Sequence, residues 1–76
     1  MSYHERMTGH EFLDRLKRLS KRTGVPWWFD PVQGHGSHGM VHYGARFTTI
    51  KDRKKEIGPG LLASMLRDLG IKKSDF

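Results

Sequence analysis

The chain has 76 residues, enough for one domain over residues 1–76 with a thin two-layer core. Hydrophobic residues make up 36% of it and charged residues 29%, which is typical of a folded globular chain. It contains no cysteine, which excludes disulfides, iron–sulfur clusters and thiolate zinc sites. We find neither an apolar run that could span a membrane nor a signal-peptide pattern, so we expect a cytoplasmic protein. The net charge of +6 favours a polyanionic partner such as nucleic acid.

A helix is predicted after a loose segment over residues 1–6. Thr8 and Glu11 have the spacing of a capping box, and Met7 and Phe12 that of a hydrophobic staple. Gly24 is suited to end the helix. The residues that share its apolar face are Phe12, Leu13, Leu16 and Leu19. We interpret the five basic residues of this helix as a solvated face, with direct contact to RNA as the alternative. They are Arg15, Lys17, Arg18, Lys21 and Arg22.

Three short strands are predicted next, forming an antiparallel meander. They cover residues 26–31, 39–43 and 45–50, and a charged, solvated loop follows over residues 51–56. This loop is either a plain surface loop or one that contacts phosphates. The prolines at both ends of the first strand favour a short or edge strand. Alternation places Trp27 and Phe29 on one side of that strand and Trp28 on the other, with one side in the core. Base stacking by the side away from the core is the alternative to a purely structural strand.

The last predicted helix begins at Gly58-Pro59-Gly60, where Pro59 suits the first helical position. Gly70 favours a left-handed cap, and Ile71 can pack back on Leu66 as in a Schellman motif. The apolar residues spaced for one face of this helix are Leu62, Met65, Leu66 and Leu69. The order helix, three strands, helix predicts an α+β two-layer sandwich with a turn or frayed tail after it.

The stretch Gly34-His35-Gly36-Ser37-His38-Gly39 carries more glycine and histidine than a plain turn needs. Imidazole exchanges protons near neutral pH, and glycines let backbone amides approach an anion closely. RNA cleavage requires a base for the ribose 2′-OH and an acid for the leaving 5′-oxygen, and it requires no metal because the 2′-OH is an internal nucleophile. A plain turn and a zinc site formed with His42 are the alternatives on spacing alone.

Three segments together resemble the HicA family, the toxins of bacterial type II toxin–antitoxin pairs. They are residues 9–16 of the first helix, the Gly36-Ser37-His38 turn, and residues 60–71 of the last helix. The resemblance implies a fold like that of the double-stranded-RNA-binding domain, α-β-β-β-α with a three-stranded antiparallel sheet. It also implies a metal-independent mRNA interferase, without a cofactor, that is neutralised by a HicB-type antitoxin protein.

The family's catalytic histidine corresponds to His38. For substrate binding we predict Gly36 and Ser37 at the phosphate, His35 where the family often has a lysine, and Arg46 or Lys51 as added charge. The alternative for His35 is an acid–base pair with His38. Two other functions remain open. One is a non-catalytic RNA-binding module of the double-stranded-RNA-binding type, and the other is a protein-interaction module whose basic face serves an acidic partner.

Overall fold

The computed structural model describes residues 7–32, 34 and 38–76 of the chain. In chain order its elements are β1 (Met7–Thr8), α1 (Gly9–Thr23), β2 (Trp27–Pro31), β3 (Gly39–Tyr43), β4 (Arg46–Ile50), β5 (Glu56–Ile57), α2 (Pro59–Leu69) and a 3₁₀ turn (Lys73–Asp75). The two helices and the antiparallel sheet β2-β3-β4 enclose one hydrophobic core. The predicted α+β sandwich is therefore confirmed, and the arrangement is compatible with that of a double-stranded-RNA-binding domain.

The start of α1 is the capping box that the sequence predicts. The Glu11 amide donates to Thr8 Oγ1 at 3.2 Å, and the Thr8 amide donates to Glu11 Oε1 at 2.8 Å. These two bonds satisfy amides that have no partner within the helix. The helix ends at Gly24, whose φ of 78° is left-handed, and its buried face includes Phe12 and Leu16.

The sheet has β3 in its centre and β2 and β4 at its edges. Val41 of β3 lies opposite Phe29 of β2 and Thr48 of β4, and all three occupy the core side of the sheet. The β3–β4 hairpin turns at Gly44, where φ is 62°. Pro31 ends β2 at an edge of the sheet, where a residue without an amide proton is tolerated.

The α2 helix begins and ends as predicted. Gly58 is its N-cap and Pro59 its first residue. At its other end the Gly70 amide donates to the Arg67 carbonyl at 3.1 Å, and the Ile71 amide donates to the Leu66 carbonyl at 2.9 Å. This pair of bonds is the Schellman motif, and Gly70 supplies its left-handed residue with φ of 70°.

Two parts of the fold differ from the sequence predictions. Glu56–Ile57, which falls partly in the predicted loop, forms β5 and pairs antiparallel with Met7–Thr8. The tail forms a 3₁₀ turn, one of the two predicted alternatives, but its last residue, Phe76, packs with its ring 4.9 Å from the Phe12 ring, a contact that was not predicted. Both contacts join residues that are distant in sequence, so local patterns do not reveal them. Within the described ranges no helix is long and apolar enough to cross a membrane, and the predicted loose segment over residues 1–6 lies outside them.

Candidate functional site

The candidate site lies at the end of the sheet where the loop joins β2 to β3. His38 directly precedes β3 and is half-buried. The Val32 amide donates to the His38 carbonyl at 3.0 Å, which continues the pairing of Pro31 with Gly39 by one residue. His38 is therefore held by the β2–β3 ladder. The predicted site residues His35, Gly36 and Ser37 lie outside the described residues.

Strand alternation indicates the side of the sheet on which His38 lies. Val41 is in the core, so Met40 and His42 occupy the opposite side, and continuing the alternation to residue 38 gives His38 the same side. We call this side the open face, because both helices pack on the other one. The strand residues of the open face are Trp28, Asp30, Met40, His42, Phe47 and Thr49.

Lys51 lies at the same end of the sheet as His38. Ile50 pairs with Gly39, so continuing the antiparallel register sets Lys51 across from His38. Ile50 is buried in the core, and alternation therefore gives the next residue, Lys51, the side of the open face. The register, continued by one residue, thus gives His38 and Lys51 the same end and the same side of the sheet. Lys51 also borders the groove between β4 and α2.

Arg46 is not brought to that site, contrary to our expectation. It pairs with Tyr43 at the far end of β3, five residues or about 16 Å from His38 at the usual rise of a strand. It also lies on the helical side of the sheet, because a Cβ added to Gly70 at the end of α2 would be 3.0 Å from Arg46 Cδ. Arg46 therefore contacts the end of α2 rather than a ligand at His38.

Arg53 is a basic residue whose environment the sequence analysis missed. Its guanidinium Cζ lies 4.6 Å from the centre of the Phe29 ring, and its Nε is buried without a hydrogen-bond partner among the described residues. Its carbonyl accepts from the His10 amide at 2.9 Å. A Cβ on Gly9 would be 2.6 Å from Arg53 Cα, so this close backbone approach needs glycine. The prediction of a freely solvated loop is wrong for Arg53.

The remaining charges of this loop increase the positive potential at the His38 end. Lys54 and Lys55 are exposed, while the Asp52 carboxylate accepts from the Lys54 amide at 2.9 Å and closes a local turn. We call residues 51–55 the basic loop. Because it follows β4 directly, it leaves the sheet beside the point at which β3 begins. The loop then turns towards α1, where the Gly9 amide donates to the Lys55 carbonyl at 3.2 Å, so Lys51 is the loop residue that the register places at the His38 end.

The open face also carries three aromatic rings in one row. The Trp28 and His42 rings are stacked, with centroids 4.4 Å apart and planes 6° apart. The Phe47 ring lies 6.0 Å from His42 and is tilted by 40°. Strand alternation predicted Trp28 on the side of β2 opposite Trp27 and Phe29, but the stack depends on the β2–β3 register, which pairs Trp28 with His42.

The zinc alternative receives no geometric support from the described residues. His42 is four residues from His38 along the strand, or about 13 Å at the usual rise. No group of three His, Asp or Glu side chains in the described ranges is arranged to hold a metal ion. His35, which the zinc hypothesis also needs, is outside those ranges.

The chain was also compared with known proteins. No protein-family model matches it, and no match was found among curated proteins or solved structures. Its functional assignment therefore depends on its own residues: the half-buried His38 at the end of the sheet, Lys51 across from it, and the basic loop beside them.

Proposed function

We propose that this protein is a metal-independent endoribonuclease that cleaves mRNA, the toxin of a bacterial type II toxin–antitoxin pair, with His38 as its catalytic residue. What supports the proposal is that the register of β3 and β4, continued by one residue, gives His38 and Lys51 the same end and the same side of the sheet. The fold is compatible with the one that the HicA resemblance implies. The excess of six positive charges suits an RNA substrate.

The reaction is an internal transesterification. The ribose 2′-oxygen forms a bond to phosphorus, and the bond between phosphorus and the 5′-oxygen of the next nucleotide breaks. A base takes the proton of the 2′-OH and an acid supplies a proton to the leaving 5′-oxygen, and the imidazole of His38 performs one of these transfers. Lys51 stabilises the negative charge that develops on the phosphoryl oxygens. The products are a 2′,3′-cyclic phosphate and a 5′-hydroxyl.

The loop residues complete the proposed site. Gly36 and Ser37 orient the phosphate through backbone amides and a hydroxyl, and His35 contacts it where the HicA family often has lysine. These three roles rest on the sequence resemblance. By the same resemblance the enzyme is inhibited by a HicB-type antitoxin that binds it and obstructs its action on RNA, and the sequence pattern favours the cytoplasm as its location.

A second candidate function is favoured by a separate surface. The basic residues of α1 are all exposed: Arg15, Lys17, Arg18, Lys21 and Arg22. Arg18 pairs with Asp14 at 2.9 Å and Arg22 donates to the Asp75 carbonyl at 2.9 Å, which leaves a predominantly positive helix face. A non-catalytic module that binds double-stranded RNA through shape and phosphates would use such a face.

One cleavage assay separates the two functions. Purified protein is incubated with RNA in EDTA, with His38→Ala as the test variant and His10→Ala, an exposed histidine of α1, as the matched control. The endoribonuclease proposal predicts cleavage by wild type and by His10→Ala, and a loss of about 10²–10⁴-fold in His38→Ala. Equal RNA binding by all three proteins without cleavage by any would favour the binding module instead.

A further inference from the structure

The row formed by Trp28, His42 and Phe47, which we call the aromatic row, crosses all three strands of the sheet. The register sets Trp28 directly opposite His42 and His42 directly opposite Phe47. Ring centroids along the row are 4.4 and 6.0 Å apart, so the side chains support one another's orientation. The open face thus presents a preformed aromatic surface rather than isolated apolar residues.

Core packing does not account for this row. The hydrophobic core lies on the other side of the sheet, and Trp28 and Phe47 remain 47% and 55% exposed. Large aromatic side chains contribute most to stability when they are buried, so two exposed ones in a single row on a solvent-facing sheet are a feature of binding surfaces. The neighbouring row on this face is more polar: Asp30, Met40 and Thr49.

We propose that the aromatic row is a stacking surface for the bases of single-stranded RNA. This inference rests on the proposed function, because it takes RNA to be the polyanion that the charge favours. Aromatic side chains on neighbouring strands of an open antiparallel sheet are a recurrent way of stacking unpaired bases. Stacking tolerates any base, so the row selects for single strands and not for sequence.

The position of the row relative to His38 gives it a role in substrate selection. His42 precedes the end of β3 and lies four residues, or about 13 Å, from His38 along the same side of the sheet. The basic loop begins at the His38 end of the sheet. The acidic residue Asp30 pairs with Met40 and so lies between His38 and the aromatic row. A strand bound through its bases at the row can therefore direct its phosphates towards the basic loop. A duplex, whose bases are already stacked and paired, cannot use the row in this way.

A protein partner would cover a different part of this surface. Phe47 also borders a groove between β4 and α2 that includes Leu61, which is 52% exposed, and Met65. An apolar protein segment docked at this edge would contact Phe47 and Leu61 together. Bases stacked on the open face would contact Phe47, His42 and Trp28 but not Leu61, which belongs to the helical layer. Leu61 is therefore a matched control for Phe47.

The test uses tryptophan fluorescence. The chain has two tryptophans, and Trp27→Phe leaves Trp28 as the reporter, while His38→Ala in the same protein prevents cleavage during the titration. The ligands are a short unstructured RNA, the same sequence as a duplex, and polyphosphate, which has charge but no bases. We expect quenching of Trp28 by the single strand and little quenching by the duplex or by polyphosphate.

Affinity in variants completes the test. Phe47→Ala is expected to weaken single-strand binding about 5- to 100-fold, whereas Leu61→Ala leaves it unchanged. Equal losses in both variants, no loss in either, or equal quenching by polyphosphate would overturn the base-stacking proposal. A concentration-dependent dimer that disappears in Phe47→Ala, with RNA affinity unaltered, would overturn it in favour of self-association.

The outcomes distinguish this proposal from the ribonuclease function. If cleavage depends on His38 but Phe47→Ala binds and cuts RNA as well as wild type does, base stacking on the aromatic row is refuted and the ribonuclease function stands. Base-dependent binding through Trp28 and Phe47, without cleavage that depends on His38, refutes the enzyme and supports the row as part of an RNA-binding module.

Discussion

Replacing Gly39 with alanine tests how the core is closed beside the candidate site. A Cβ at this position would collide with Phe29 Cζ and lie 2.6 Å from Phe29 Cε1 and 2.9 Å from the Asp30 carbonyl oxygen. Gly39 does not have a positive φ, so backbone conformation alone would tolerate alanine. The loss of stability therefore arises because the Phe29 ring must move. This ring also contacts the Arg53 guanidinium.

The magnitude follows from these contacts. Forcing a methyl group into a packed site costs about 1–3 kcal/mol. Displacing the ring from Arg53 removes a further cation–π contribution of about 0.5–1 kcal/mol. Alanine also lowers the entropy of the unfolded chain, which raises the free energy of unfolding by about 0.4–1 kcal/mol and offsets part of the loss. We expect Gly39→Ala to lower the free energy of unfolding by about 2 kcal/mol, which is a fall in Tm of about 8–16 °C for a domain of this size.

Urea denaturation, followed by circular dichroism, measures this difference. The matched control is Gly60→Ala in α2, where no described atom lies within 4 Å of the added Cβ and where alanine favours the helix by about 0.5–1 kcal/mol. In a Phe29→Leu background the cost of Gly39→Ala should shrink by at least about 1 kcal/mol, although the Asp30 contact persists. An undiminished cost in that background would refute the role assigned to the ring.

Other substitutions test separate parts of the fold by the same urea assay. Thr8→Ala removes the capping box and should cost about 1 kcal/mol, whereas a neutral result would contradict its contribution. Gly70→Ala should cost about 1 kcal/mol or more, because φ is 70° and the Arg46 side chain is 3.0 Å from the added Cβ; no loss would contradict that strain. Arg53→Met should change stability by less than about 1 kcal/mol, since the lost cation–π contact is offset by removal of the Nε donor left unpaired among the described residues. Phe76→Ala should cost about 3 kcal/mol or less, and no loss would contradict packing of the tail on Phe12.

Features determined by residues close in sequence could be predicted without the structure. The Thr8–Glu11 capping box and the cap at Gly70 each depend on residues within one or two helical turns, so their spacing is sufficient. Strand alternation likewise separated Trp27 and Phe29 from Trp28, and the structure shows that the side of Trp27 and Phe29 is the core side. These local signals agree with one another, and the order of elements follows from them.

Contacts between distant segments could not be predicted in this way. The β1–β5 ladder consists of two residues on each side, too few to produce a pattern, and the Phe29–Arg53 contact depends on how the basic loop folds back on α1. Arg46 is different, because alternation along β4 already groups it with the buried Ile50 and away from the open face. The side of the sheet on which Arg46 lies could therefore be predicted from the sequence.

The candidate site divides in the same manner. His38 was identified from the stretch of glycines and histidines around it and from the HicA resemblance, whereas its position relative to Lys51 required the register of β3 and β4. The stack of Trp28 on His42 required the register of β2 and β3. Register depends on the lengths of both connecting turns, which is why pairs of residues across strands are harder to predict than the face that each residue occupies.

The ends of the RNA fragments produced in EDTA test the central claim most directly. We expect wild-type protein to release fragments with a 2′,3′-cyclic phosphate and a 5′-hydroxyl. A substrate with 2′-deoxyribose at the cleaved position should resist cleavage, and His38→Ala should release almost no fragments. Fragments with a 3′-hydroxyl and a 5′-phosphate, or undiminished cleavage by His38→Ala, would contradict internal attack by the 2′-OH with His38 as the proton-transfer residue.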